Sequence, residues 1–467
     1  MPALKLAIEH QVARIGLLSH RTPRPCQPDH QHLACRPVMS RRLRVLMSAY
    51  ACEPNRGSEQ EVGWQWALQM ARFHDVTVLT RMNNQPAIEP AITARPCPSL
   101  KFVYYDPPPW LRFWKRRARG VQPYYYFWQM AALRVGARLH RELAFDLLHH
   151  VTFGKYWVPS YLSLLPVKSI LGPLGGGEST PIALAGTFSW RGWWWERARD
   201  LARGLAKLDP ALRATMRRAS VVIATTDESK RRLQQLGASS VIVEPQFALD
   251  DEQLDFFSRF PRRTERPFRL ISIARLLHWK GFHLGLQAFA RFVRHCPESE
   301  YWVVGSGPEH ANLKRIALEL GIASHLKFWG YLPYAEMCHK LAEADVLVSP
   351  DMHTSFGNIC LEALAAGRPV ICLDTGGQSL QVTEECGFKA PVASVEQALQ
   401  SMADAMTLLY RDPDRRLRMG VAAQARARKH FHWTRKAERM NVLYEEVCAG
   451  SSASAPASLG QSCNPEL

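Results

Sequence analysis

From residue 43 onward the chain alternates short apolar runs with longer stretches in which apolar positions recur every three or four residues. Runs at 43–49, 76–80, 101–105, 147–151, 169–171 and 221–224 have the length of strands. The segments between them, such as 62–73 and 122–141, have helical spacing. A second series of runs follows at 270–273, 301–304, 326–328, 346–349 and 370–373. Strands that are apolar throughout and separated by helices predict parallel sheets covered on both faces. Two such series in 467 residues of 47% hydrophobic content predict an α/β chain of two domains, each with its own core. The polar segment 251–266, with Pro261 inside it and Pro267 after it, reads as the linker between domains at 41–250 and 267–432. A last helix is expected at 433–450. Residues 1–40 show no sustained periodicity and 451–467 are rich in Ser and Ala, so both are expected to be disordered. Met39 stands just before the first strand. Residues 1–38 therefore read either as a disordered extension or as sequence upstream of the natural start.

The stretch Phe356-Gly357-Asn358-Ile359-Cys360-Leu361-Glu362-Ala363-Leu364-Ala365-Ala366-Gly367-Arg368-Pro369 predicts a turn, a short helix and a stop. Gly357 lets the backbone come close to a ligand, and the free N–H groups of the following helix start attract phosphate. Glu362 falls more than a turn further in, where a carboxylate accepts the two hydroxyls of a ribose. Three alanines keep the helix slim. A nucleoside diphosphate fits this arrangement; an ordinary helix between two strands of an α/β domain fits it as well.

Four further segments occur in a telling order: Ala274-Arg275-Leu276-Leu277-His278-Trp279-Lys280-Gly281, Val304-Gly305-Ser306-Gly307-Pro308, Phe328-Trp329-Gly330 and Asp374-Thr375-Gly376-Gly377. Together with the Glu362 stretch they resemble glycosyltransferase family 4, and the resemblance runs from about Arg41 to Cys448. It implies a GT-B fold, in which two Rossmann-like domains face a cleft, an acceptor-side first domain and a nucleotide-sugar-binding second one, with the last helix crossing back to the first. It also implies transfer of a hexosyl group from a nucleotide sugar with retention of configuration. Breaking the bond to the diphosphate places negative charge on the leaving phosphate, so fixed cations and N–H groups are the main lever and no metal is required where two basic side chains supply the charge. Arg275 and Lys280 match the family's phosphate pair. Gly305, Gly307, Thr354, Phe356, Gly357, Asn358 and Glu362 are the expected donor contacts, with Gly57 and Ser58 on the loop after the first strand. Thr354 stands eight residues before Glu362, where the family has a second Glu. Asp351 or His353 could substitute for it, or Thr354 could suit a differently shaped donor. On the acceptor side the candidates are His149, Gly176, Gly177 and Glu178, with His150 as the histidine expected to face the cleft and take part in catalysis, since adjacent strand residues point to opposite sides.

Composition narrows the class. Eleven cysteines without Cys-x-x-Cys or Cys/His ligand spacing argue against a zinc site or a disulfide framework, and for a reducing compartment. No apolar run approaches the ~20 residues of a membrane span. The formal charge of +17 calls for an acidic partner. No helix-turn-helix, zinc-finger or RNA-recognition pattern accompanies it, so no nucleic acid is expected. A diphosphate uses few of these cations. The surplus points to an anionic membrane surface, with a lipid-linked or other saccharide acceptor and a peripheral location at the inner face of the plasma membrane. Residues 110–119, where Trp and Phe alternate with five cations, and Arg191-Gly192-Trp193-Trp194-Trp195 are the segments expected to touch it. A non-catalytic nucleotide-sugar-binding or scaffolding protein of the same fold is the alternative reading, kept open by Thr354.

Overall fold

The computed structural model describes residues 41–450 apart from 55, 57 and 109–119. The expectations for 1–40, for Gly57, for 110–119 and for 451–467 lie outside the described residues, as does the side chain of Ser58.

The first domain contains β1 (Arg44–Ser48), β2 (Asp75–Thr80), β3 (Leu100–Tyr104), β4 (Leu147–His150), β5 (Lys168–Leu174), β6 (Val221–Ala224) and β7 (Val241–Val243). The second contains β8 (Phe268–Ile273), β9 (Ser299–Val304), β10 (Leu326–Gly330), β11 (Val346–Ser349), β12 (Val370–Leu373) and β13 (Gly387–Ala390). Each set forms one parallel sheet, in the orders β3-β2-β1-β4-β5-β6-β7 and β10-β9-β8-β11-β12-β13. The expected α/β architecture of two parallel sheets holds. Strands β7 and β13 add to the sequence reading. Both are partly buried edge strands: β7 is the short apolar run Val241–Val243, and β13 mixes Gly and Lys with its apolar residues.

The polar segment expected as a linker is not a plain connection. Asp251–Ser258 is a helix, with Asp250 and Gln253 forming a reciprocal capping box. Its Leu254, Phe256 and Phe257 are buried, and Phe260 beyond it also. The acidic residues between these positions hide an amphipathic turn. The chain instead crosses between the domains just before this helix and again at 431–433, and the two crossings are hydrogen-bonded to each other. The Leu249 N–H donates to the Phe431 carbonyl at 2.8 Å, and the Trp433 N–H donates to the Leu249 carbonyl at 3.0 Å. The helix Trp433–Ala449 then packs on the first domain through Trp433, Ala437, Met440, Tyr444 and Val447, which share one face.

The two histidines of β4 are core residues. Strand β4 lies between β1 and β5 and is buried on both faces, so alternation sends neither side chain to the cleft. His149 Nε2 donates to the Gly172 carbonyl at 2.9 Å, and its Nδ1 accepts from the Tyr444 hydroxyl at 2.6 Å. His150 lies 3.1 Å from the Tyr125 hydroxyl and 3.2 Å from that of Ser48. Burial pushes the two imidazoles down to about 3 and about 4, so both are neutral near pH 7. This corrects the expectation of a catalytic His150 and an acceptor-side His149. His149 fastens the crossing helix to the sheet. Tyr444→Phe is therefore expected to strand the His149 Nδ1 acceptor and lower unfolding stability by about 1–3 kcal/mol, with nucleotide binding unchanged. Equilibrium denaturation and a nucleotide titration check the pair of outcomes.

Candidate functional site

In each sheet the strand order reverses next to the first strand, between β1 and β4 and between β8 and β11. Loops leaving neighbouring strands there run in opposite directions and open a crevice at the carboxyl edge. In the second domain the loop after β8 carries Arg275 and Lys280, and the loop after β11 carries residues 350–357. Backbone packing holds the first of these rigidly. The Ala274 N–H donates to the Val304 carbonyl at 3.1 Å and the Leu276 N–H to the Ser306 carbonyl at 3.0 Å. The contact needs Gly305 and Gly307. A Cβ on Gly305 would lie 1.8 Å from the Ala274 oxygen and one on Gly307 2.3 Å from the Leu276 oxygen, and Gly305 has φ +135°. These two glycines thus seat the Arg275 loop. Arg275 is exposed and makes no ion pair among the described residues. Lys280 places Nζ 2.5 Å from Asp351 Oδ2, a carboxylate only 5% exposed.

The helix Asn358–Ala365 starts at Gly357, whose φ of +83° turns the chain into it. Phe356 is buried beside Phe247 and Phe431, and its carbonyl accepts from Gln381 Nε2 at 2.6 Å. Thr354 is half-buried and its carbonyl accepts from the Gly377 N–H at 2.8 Å. Glu362 accepts a hydrogen bond from the Tyr334 hydroxyl at 3.3 Å and is otherwise enclosed. Burial raises its carboxyl to about 7, so near neutrality it exchanges its proton easily. Asp351 and His353, the two candidates to replace the missing carboxylate, are both engaged elsewhere: Asp351 with Lys280, and His353 with Glu196 at 3.1 Å.

Across the cleft, the loop 172–178 of the first domain meets the loop after β11. Glu178 accepts from Thr226 at 2.6 Å, Ser355 at 2.7 Å, Ser229 at 2.8 Å and the Gly176 N–H at 3.0 Å. Desolvation opposes its charge, but these donors outweigh it and hold the carboxyl below its ordinary value. Glu178 is therefore a bracket between the domains; its oxygens are already filled, which corrects its expected place among the acceptor contacts. Gly177 is buried with its N–H on Ser229 at 3.1 Å. Gly176 reaches open space. It lines a pocket of about 220 Å³ with Ser355, Asn358, Glu59, Lys155 and Trp157. This pocket joins the start of the Asn358 helix to the first domain. Lys155 and Trp157 went unrecognised in the sequence; their only signal is a position just past the carboxyl end of β4.

A second bracket was also unrecognised. Helix Trp190–Ala206 of the first domain sends Glu196 to His278 and His353 of the second, at 3.1 Å each, while Arg199 pairs with it at 2.6 Å. The Trp195 and Trp279 rings stack at 4.8 Å, and Trp279 stacks on His353 at 5.5 Å. Burial alone would raise the Glu196 carboxyl, but the hydrogen bonds from His278 and His353 and the Arg199 charge bring it to about 2. A depressed carboxyl contributes stability that is complete above its unfolded value of 4.5 and is lost as the pH falls toward about 2. Glu196→Ala removes the carboxylate shared by His278, His353 and Arg199, of which Arg199 and His353 keep each other, and should cost about 3–5 kcal/mol near pH 7, with Glu196→Gln falling between it and wild type. Urea unfolding measures this, and the gap between wild type and variant should narrow as the pH is lowered below 4.5.

Comparison with known proteins places this geometry. Residues 255–426 match the family described as "Glycosyl transferases group 1". A D-inositol 3-phosphate glycosyltransferase of Corynebacterium jeikeium is 33% identical over 203 residues, which is 40% of this chain and 48% of that protein. The chain thus spans about half the length of the curated relatives it matches. Among solved structures, a sucrose-phosphate synthase of Thermosynechococcus elongatus superposes with a TM-score of 0.60 at 19% identity, covering 88% of this chain and all of that one. Anabaena HepE in complex with UDP superposes with a TM-score of 0.56 at 16% identity, covering 86% of this chain and all of that one. At these identities the structures speak to the fold. Residues 255–426 are thus similar to the group 1 glycosyl transferases, within a chain of GT-B fold.

Proposed function

We propose that this protein transfers a hexosyl group from a nucleoside diphosphate sugar to an acceptor with retention of configuration, in the manner of glycosyltransferase family 4. The observation that carries the reading is the crevice between β8 and β11. An exposed Arg275, without an ion pair among the described residues, and the Asp351-held Lys280 stand on one loop, and a helix start followed by the enclosed Glu362 stands on the next. Group 1 glycosyltransferases match this same domain.

In this reading Arg275 and Lys280 take the charge that grows on the leaving phosphate, and Asp351 fixes the Lys280 ammonium by a short ion pair so that little reorganisation accompanies transfer. The N–H groups after Gly357 add to that field. Glu362 binds the ribose as a carboxylate. Side-chain cations thus stand where a divalent ion would otherwise serve. The acceptor is a lipid-linked saccharide of surface polysaccharide assembly, met at the cytoplasmic face of a membrane; the +17 charge and the aromatic, cationic surface support this part. Sugar-binding without turnover is the rival outcome. It is favoured if the protein binds a nucleotide sugar and neither transfers nor hydrolyses it.

Arg275→Ala and Lys280→Ala should each lower turnover by about 10²-fold or more with a nucleotide sugar that shifts the thermal unfolding midpoint, and chelation of divalent ions should leave the wild-type rate unchanged. Steady-state rates test both. Nucleoside diphosphate binding should also depend on pH. Glu362 must lose its proton to accept two hydroxyls, so affinity should fall as the pH drops below about 7, at most tenfold per unit. Glu362→Gln should bind more weakly by about 1.5–3 kcal/mol and lack this component. Calorimetric titration of both proteins cancels the ionisation of the ligand itself, and parallel pH profiles would remove Glu362 from the ribose.

A further inference from the structure

The helix Trp190–Ala206 is built inside out. Three of its charged residues face the protein: Glu196 is 8% exposed, Arg203 4%, and Arg199 pairs with Glu196, while Arg203 donates to the carbonyls of Gly176 and Glu178. Its large apolar residues face outward, with Trp190 at 70%, Trp194 at 62%, Leu201 at 65% and Leu205 at 59% exposure, and Leu208 just beyond the helix at 70%. At about 100° per residue these five positions fall within an arc of about 60°, one continuous stripe along the helix. The stripe is not the product of a loose element. Ser189 caps the helix, Glu196 and Arg199 bind the second domain, and Trp195 stacks on Trp279. Water-exposed Trp and Leu held in register on a rigid helix are costly to leave uncovered.

Charge identifies what covers them. Between Ile182 and Arg218 the chain carries eight basic and three acidic residues. Glu196, Arg199 and Arg203 are turned inward, which leaves Arg191, Arg197, Lys207, Arg213, Arg217 and Arg218 against Asp200 and Asp209 on the outside. Arg191 lies 5.3 Å over the Trp190 ring and Arg197 4.9 Å over the Trp193 ring, so cations stand on both flanks of the aromatic end. A stripe of Trp and Leu bordered by Arg fits the boundary between the headgroups and chains of an anionic bilayer, where indole rings settle at headgroup depth and cations meet lipid phosphate.

We propose that helix Trp190–Ala206 is a membrane-docking element that lays Trp190, Trp194, Leu201, Leu205 and the adjoining Leu208 on an anionic lipid surface. This deepens the reading of an acceptor held at a membrane and rests on it for biological sense, while the surface itself stands on the exposures above. Because the inner face of the helix grips both sides of the cleft, docking would set the cleft at a fixed height and tilt over the bilayer.

The test is co-sedimentation of the full chain with phosphatidylcholine vesicles, with and without phosphatidylglycerol. Wild type should bind only the anionic vesicles. The combined variant Trp190→Gln, Trp194→Gln, Leu201→Gln, Leu205→Gln should bind at least about tenfold less, since it removes four apolar side chains from the interface. Arg191→Gln and Arg197→Gln should each cost about fivefold, as expected for a cation near an anionic surface. Thermal unfolding and nucleotide binding should match wild type in all of them. Wild type that ignores anionic vesicles, or a combined variant that sediments as wild type does, would overturn the proposal. So would a wild-type dimer in sedimentation velocity that the same variant dissociates, which assigns the stripe to a second copy of the chain. A protein that binds vesicles through this helix yet turns over no sugar would keep the docking surface and remove the transfer reading.

Discussion

Two buried carboxylates of the first domain, Glu178 and Glu196, reach across the cleft and take donors from the second. The covalent chain links the domains only through the paired crossings near Leu249 and His432, which define where the halves pivot and not how closely they approach. The approach is set by Ser355 on Glu178 and by His278 and His353 on Glu196. Each carboxylate is desolvated and keeps donors of its own domain, Thr226, Ser229 and the Gly176 N–H on Glu178 and Arg199 on Glu196; losing the partner domain would strip Ser355 from the first and both histidines from the second. Domain closure is thereby tied to the same loops that carry Lys280 and Thr354.

This coupling shapes the electrostatics of the crevice. The negative groups that approach it are consumed by specific partners: Asp351 by Lys280, Glu178 by hydroxyls and an N–H, Glu196 by two histidines and Arg199. Arg275 keeps its charge for something else. Glu362 makes no ion pair among the described residues; it accepts from the Tyr334 hydroxyl, and burial raises its carboxyl. Helix Trp190–Ala206 extends the same logic to the outer surface, since Glu196, Arg199 and Arg203 are spent on the cleft side while its exposed stripe is apolar with Arg191 and Arg197 beside it.

The sequence by itself determined much of the scaffold. Inner strands of parallel sheets are mostly apolar, and the edge strands β3 and β10 also carry several apolar residues, so eleven of the thirteen strands were readable, and the order of motifs indicated two facing domains. Gly357 at the start of the Asn358 helix was readable too, because a left-handed φ leaves few residue choices, whereas Gly305 and Gly307, expected as donor contacts, pack against the backbone of the Arg275 loop. The edge strands β7 and β13 and the helix Asp251–Ser258 were not: β7 is only three residues long, and polar residues break the pattern of the other two. Tertiary structure alone decided which polar side chains are free. His149, His150 and Glu178 have the chemistry of site residues, and only the placement of Tyr444, Tyr125, Thr226 and Ser355 beside them shows that their hydrogen-bonding capacity is used up inside. It also decided which way the tryptophan helix faces. An amphipathic pattern gives the angle between two faces but not their sign, and the sign came from Glu196 finding its partners, some eighty to one hundred and sixty residues away, in the other domain.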